Sequence, residues 1–122
     1  MDRSYSLRRN KDFQYVYRRG RRYASKVLAL VYLRGNTIKV GFSIGKKIGN
    51  SVQRNKLKRR MREAFRSILP DIKPGKYIFI AREGSSECDY WTILKTIKQL
   101  VDKSGAWSEK KRCDEKASFK VD

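Results

Sequence analysis

The sequence predicts an α+β fold: a single-domain sandwich of one small mixed sheet with about three helices, in the order α-β-β-(β)-α-β-α. Three observations point there. The chain has 122 residues, enough for one core and too few for two. Ile38, Val40, Phe42 and Ile44 alternate with the period of a strand. Leu57, Met61, Ala64, Phe65 and Ile68 recur with the period of a helix.

Asn10 is placed to cap a short first helix whose apolar side is Phe13, Val16 and Tyr17, with Gly20 to end it. After the basic stretch RRGRRYASK, the run VLALVYL at 27–33, the turn residues RGN and the segment TIKVGFSIG predict a hairpin. Its second strand turns Lys39, Gly41 and Ser43 to the face opposite its apolar residues. That row of small or cationic groups suits either an extended ligand or plain solvent. Asn50 and Gln53 have capping-box spacing and start the next helix at about Ser51. On this helix Asn55, Arg59, Arg62 and Arg66 form a stripe opposite the apolar side, flanked by Lys56 and Lys58. PDIKPG is a turn-rich link, KYIFIA at 76–81 a buried strand. From about Asp89 a last helix shows Tyr90, Ile93, Leu94, Ile97, Leu100 and Val101 as its apolar stripe. Periodicity dissolves after Lys103, so the chain divides into a domain at 1–103 and a flexible tail at 104–122.

Charge narrows the class of partner. The chain carries 31 Lys and Arg against 12 Asp and Glu, a net +19, which favours a polyanion. Nearly all of the excess falls in residues 1–66. The densest stretch is RNKLKRRMREAFR at 54–66, with Glu63 its only acid. Like charges at i,i+3 and i,i+4 repel by a few tenths of a kcal/mol each, roughly, so something outside the chain is expected to compensate. Arg and Lys here can neutralise phosphates, and the unpaired N–H groups of the helix start lie beside Lys46 and Lys47. Phe13 and Tyr17, in a basic setting, fit core packing or the stacking of unpaired bases. The longest apolar run is far below the ~20 residues a membrane helix needs, and no apolar segment follows the N-terminal basic residues. A cytoplasmic protein without a membrane partner is expected.

Chemistry by the polypeptide itself is not expected. Histidine is absent, removing the commonest acid-base group and metal ligand. The basic half offers only Asp2, Asp12 and Glu63 as carboxylates, dispersed in sequence, so no protein metal site and no catalytic residue is assigned. Cys88 and Cys113 form no metal pattern and read as free thiols.

RNKLKRRMRE resembles the R-N-x-x-K-R-x-x-R-E signature of the bacterial ribonuclease P protein subunit, matched by Arg54, Asn55, Lys58, Arg59, Arg62 and Glu63. VGFSIGKKIGNSVQ before it, NKDFQYVYRRG near the start and YIFIAR after it are similar to the same family, so the resemblance spans about residues 7–103. It implies an accessory subunit of a tRNA 5′-maturation endoribonuclease. In that family the bound RNA is the catalyst and, with Mg²⁺ held mainly by the RNA, removes the 5′ leader of precursor tRNA. Arg54, Asn55, Lys58, Arg59 and Arg62 would contact the catalytic RNA, with Lys46, Lys47 and Arg66 extending that surface. Phe13, Tyr17 and Ser43 would line a cleft for the single-stranded leader. The resemblance also implies a left-handed β-α-β crossover. Two positions depart from the family pattern: Val31 stands where relatives often carry a cleft tyrosine, with Tyr32 facing the other side of the strand, and Gly45 replaces a more usual small hydroxyl residue.

Two other readings use the same basic helix. A structural, ribosomal-type RNA-binding protein would lack a leader cleft. A duplex-DNA binder would need the second helix of a helix-turn-helix, for which the sequence shows no candidate.

Overall fold

The computed structural model describes residues 6, 7 and 9–108. In chain order the elements are α1 (Asn10–Arg19), β1 (Arg21–Ala24), β2 (Leu28–Arg34), β3 (Ile38–Ser43), α2 (Ser51–Ile68), β4 (Gly75–Ala81) and α3 (Tyr90–Ser104). This is the expected α+β sandwich, with the optional strand present as β1. The four strands form one mixed sheet in the order β1-β2-β4-β3.

That order corrects the hairpin. β2 and β3 do not pair; β4 lies between them, antiparallel to β2 and parallel to β3, with α2 as the crossover of the parallel pair. Side-chain burial explains the insertion. β4 buries Tyr77 and Phe79 on one face and Ile78 on the other, and β2 buries four successive residues, Leu28 to Val31. Strands apolar on both faces belong in the centre of a covered sheet. β1, with Arg21 and Arg22, and β3, with Lys39, take the edges, where charge is tolerated and discourages further pairing. A short N-terminal stretch meets the β3 edge, where the Leu7 N–H donates to the Val40 carbonyl at 2.9 Å.

The sheet is covered unequally. One face carries α2 and α3 and holds the main core: Leu57, Met61, Ala64, Phe65 and Ile68 of α2 are all buried, as their spacing predicts. Phe65 lies 5.5 Å from both Tyr77 and Phe79, ring centre to ring centre, and 6.5 Å from Phe42. The Tyr77 hydroxyl donates to the Lys73 carbonyl, and burial pushes its pKa upward. The other face carries α1 alone, where Val16, Val31 and Ile78 are buried and Phe13 is half-buried.

Two expected boundaries move. Arg9, not Asn10, occupies the N-cap of α1, and it makes no side-chain capping bond; Asn10 is already helical. The tail does not begin at 104. Gly105, at φ 70°, closes α3 in the left-handed conformation that glycine adopts without steric cost. The chain then turns back: Ala106 and Trp107 are buried, Trp107 bridges to Ile72, and the Lys73 N–H donates to the Ala106 carbonyl at 2.7 Å. One aromatic residue with no periodic partners gives no helix or strand signal, which hides this segment in the sequence. The remainder of the expected tail, 109–122, lies outside the described residues, as does Cys113.

Candidate nucleic-acid interface

α2 begins at a complete capping box. Asn50 Oδ1 accepts from the Gln53 N–H and Gln53 Oε1 accepts from the Asn50 N–H, both at 2.9 Å. Gly49 leaves room for this closure, since a Cβ there would stand 2.3 Å from Gln53 Oε1. The box satisfies two of the four donors at a helix start and leaves those of Ser51 and Val52 facing outward. Lys46 and Lys47 are exposed on the 3₁₀ turn just before, Lys46–Ile48, where the half-buried Ile48 anchors the turn to the core. Gly45 is exposed and a Cβ would meet nothing within 4 Å, so packing does not require glycine there.

With Leu57, Met61 and Phe65 facing the sheet, a rotation of 100° per residue sorts the basic residues of α2 into three groups. Asn55, Arg59, Arg62 and Arg66 form the outward stripe read from sequence, and all four are exposed. Arg54, Lys58 and Arg62, at i, i+4 and i+8, form a second row. It runs along the flank that Phe65 shares, toward β3, because Phe65 touches Phe42 of that strand. The third group is Lys56, exposed, and Arg60, one turn on along the opposite flank. Arg60 is taken up within the fold. Its guanidinium donates to the carbonyls of Cys88 at 3.1 Å and Ser86 at 3.5 Å, holding the link between β4 and α3. Arg60 is therefore structural, which its phase beside the apolar side could have signalled.

Arg54 is half-buried and its Nε is enclosed with no hydrogen-bond partner among the described residues. Lys58, Arg59, Arg62 and Arg66 likewise make no ion pair with a described residue, Glu63 included. The repulsion inferred from sequence thus goes uncompensated among the described residues. Cys88, a free thiol, is half-buried; burial and the neighbouring Asp89 and Glu87 push its pKa up, making it a poor nucleophile. Among the described residues, no group of three or more His, Cys, Asp or Glu could hold a metal ion. No helix among them is long and apolar enough to cross a membrane.

A second surface lies on the α1 face. The Phe13 ring rests directly on Gly41: a Cβ there would stand 2.4 Å from Phe13 Cζ. Glycine at 41 is what lets the ring lie this close. Tyr17, one turn on, is 42% exposed, its ring centre 6.4 Å from that of Phe13. Of the two readings left open by sequence, core packing fails for Tyr17 and holds in part for Phe13. Ser43 shares this sheet face with Gly41 and is half-buried, opposite Ile80 of β4. Val31 is buried beneath α1 with Val16, and Tyr32 turns to the other face, where it packs against Tyr77 at 4.9 Å. Neither residue reaches the cleft. Sequence reading missed Tyr15, on the opposite flank of α1, with the Lys76 ammonium 5.1 Å from its ring centre.

The Arg54–Lys58–Arg62 row and the Phe13–Tyr17–Ser43 cleft lie on either side of the edge strand β3. The chemistry this permits is recognition: a rigid helix with bidentate donors for phosphates beside a channel with an exposed aromatic ring.

Comparison with known proteins finds similar sequences and similar folds. The family model described as Ribonuclease P matches residues 1–105. The chain is 32% identical over 114 residues to the ribonuclease P protein component of Exiguobacterium sp., covering 92% of this chain and 100% of that one. It is 41% identical over 106 residues to the Clostridium botulinum strain 657 component, covering 84% and 96%. Among solved structures, the Staphylococcus aureus RNase P protein superposes with a TM-score of 0.80 at 27% identity, over 85% of this chain and 98% of that one. The Thermotoga maritima RNase P protein gives 0.73 at 27% identity, over 80% and 96%.

Proposed function

The chain belongs to the ribonuclease P protein family, and on that premise we propose that it is the accessory subunit that binds the catalytic RNA through α2 and the 5′ leader of precursor tRNA through the α1 cleft. Its role is in maturation of the tRNA 5′ end. The observation that carries this reading is the placement of two chemically different surfaces on either side of β3, one cationic and unpaired, the other aromatic and channel-like.

Each surface has one task. Arg54, Asn55, Lys58, Arg59, Arg62 and Arg66, with Lys46 and Lys47 at the helix start, neutralise phosphates of the folded RNA and fix its register against the protein. Arg54 differs from the others in that its enclosed Nε has no acceptor among the described residues, so its guanidinium gains a bond by turning toward an oxygen of the RNA. Phe13 and Tyr17 offer ring faces to unpaired leader bases, and Ser43 offers a hydroxyl beside them. Stacking and charge read no base edge, so leaders of different sequence are accepted. Bond cleavage belongs to the RNA. Mg²⁺ requires a near-octahedral set of oxygen ligands, and a surface of guanidinium and ammonium groups with Glu63 as its one carboxylate supplies too few of them. The metal is therefore held by the RNA, and the protein supports it only by lowering phosphate repulsion nearby.

The test compares precursor tRNAs with and without a leader, bound to the reconstituted ribonucleoprotein. Phe13→Ala with Tyr17→Ala should weaken binding of the leader-bearing substrate by about 1–3 kcal/mol per stacked base, with no change for the leaderless one. Indifference to the leader would favour a structural RNA-binding role instead. Arg59→Ala or Arg62→Ala should weaken assembly with the RNA and reduce the slope of log affinity against log salt by about 1 per lost contact.

A further inference from the structure

α2 does not use all of the unpaired charge. At the opposite edge of the sheet, the corner between α1 and β1 presents Arg18, Arg19, Arg21 and Arg22 within five residues, all exposed. The turn that carries them is tight. The Gly20 N–H donates to the Val16 carbonyl at 2.7 Å, and a Cβ at Gly20 would stand within 2.9 Å of Tyr32 O and Val31 Cγ1. Two arginines thus project from the last turn of a helix and two from alternate faces of a paired strand, on rigid backbone throughout.

Cations from distant parts of the chain converge on the same edge. Arg82 Nη1 donates to the Ser25 carbonyl at 2.6 Å across 57 residues of sequence, and Lys103 Nζ donates to the Ala24 carbonyl at 3.2 Å across 79. Lys26, exposed, completes the row. The acids adjoining these groups in sequence are Glu83 and Asp102, and no ion pair forms between any of them among the described residues. A helix C-terminus favours a cation or two; it does not account for seven drawn from three elements and two loops. Four of the seven are closely spaced arginines, whose forked donors match phosphate oxygens.

We infer that this β1 edge is a second nucleic-acid contact, which takes the phosphate backbone of a structured RNA segment distinct from the one on α2. β1 and β3 are separated by three strand spacings, about 14 Å, so the two basic edges face different stretches of one RNA. The inference rests on the proposed role of α2 as the first contact. Two anchored edges fix the orientation of the cleft between them, as one cannot.

The test uses the full chain and the transcribed ribonuclease P RNA. Affinity is measured across a salt series and the RNA is footprinted, for R18Q/R19Q/R21Q/R22Q and, as an internal control, R59A/R62A. The inference expects the quadruple variant to lower the salt slope by about 2 to 4 and to lose one protected RNA segment, while keeping the segment lost in the control. A parental slope and footprint in the quadruple variant, alongside a changed control, would overturn the inference and leave the α2 reading intact. Parental behaviour in both would overturn the two together. Thermal unfolding checks that the variants fold, and the pairs R18Q/R19Q and R21Q/R22Q each read half of the effect if the quadruple variant does not.

Discussion

The two faces of the sheet divide the work of the molecule. Among the described residues, nineteen are buried in the cluster under α2 and α3, and three under α1. The thick face holds the Phe65 ring against those of Tyr77 and Phe79, so stability resides there. On the thin face a single helix covers part of the sheet and leaves Tyr15 and Tyr17 at 50% and 42% exposure. Exposed aromatic area is not confined to this face, since Trp91 of α3 is 71% exposed; on the thin face it lies beside Phe13 and among the exposed basic residues of α1. A face buried on one side frees the other for recognition.

That division can be broken first at its strongest point. Phe65→Ala, on the thick face, should cost about 3–5 kcal/mol in urea unfolding, and a loss below ~1 kcal/mol would show that the core does not depend on this contact. Gly41→Ala on the thin face should cost less, about 1–3 kcal/mol, because the new methyl forces the Phe13 ring outward. Its larger consequence should be lost discrimination between leader-bearing and leaderless precursor tRNA. On α2, Arg60→Ala and Arg59→Ala should separate by kind: the first loses about 1–2 kcal/mol of stability with its two carbonyl bonds, the second stays within ~0.5 kcal/mol and loses RNA affinity. Equal stability loss in both would erase the distinction between them. The smallest effect is acid sensitivity at the α3 cap. Hydrogen bonds from the Thr92 side chain and backbone hold the Asp89 carboxyl below its ordinary 3.8. The folded value lies below the unfolded one, so the stabilisation is present above that pH and fades as pH falls through the folded value. Unfolding midpoints followed on acidification should show this decline, and Asp89→Asn should flatten it.

Local signals were legible wherever one element carried its own pattern. The apolar side of α2, its capping box and the start of α3 near Asp89 follow from spacing alone. The cationic stripe was legible too, as were Phe13 and Tyr17 as a pair. What the sequence hid depended on contacts far apart along the chain. RGN between two apolar runs reads as a turn whether or not the runs pair, and nothing in residues 27–44 announces that β4 will come between them. Arg60 differs from Arg59 in helical phase, but the carbonyls of Ser86 and Cys88 that take up its guanidinium lie in another segment. The exposure of Tyr17 is fixed by how far α1 lies from the sheet edge, a matter of packing rather than periodicity.

The insertion of β4 between β2 and β3 bears on how the chain is made. Until residue 75 emerges from the ribosome, three strands exist but only β1 and β2 have each other to pair with. The sheet therefore closes late and nearly all at once, after the whole of α2 has been synthesised, and a nascent chain halted before β4 carries the binding helix without the scaffold that aims it.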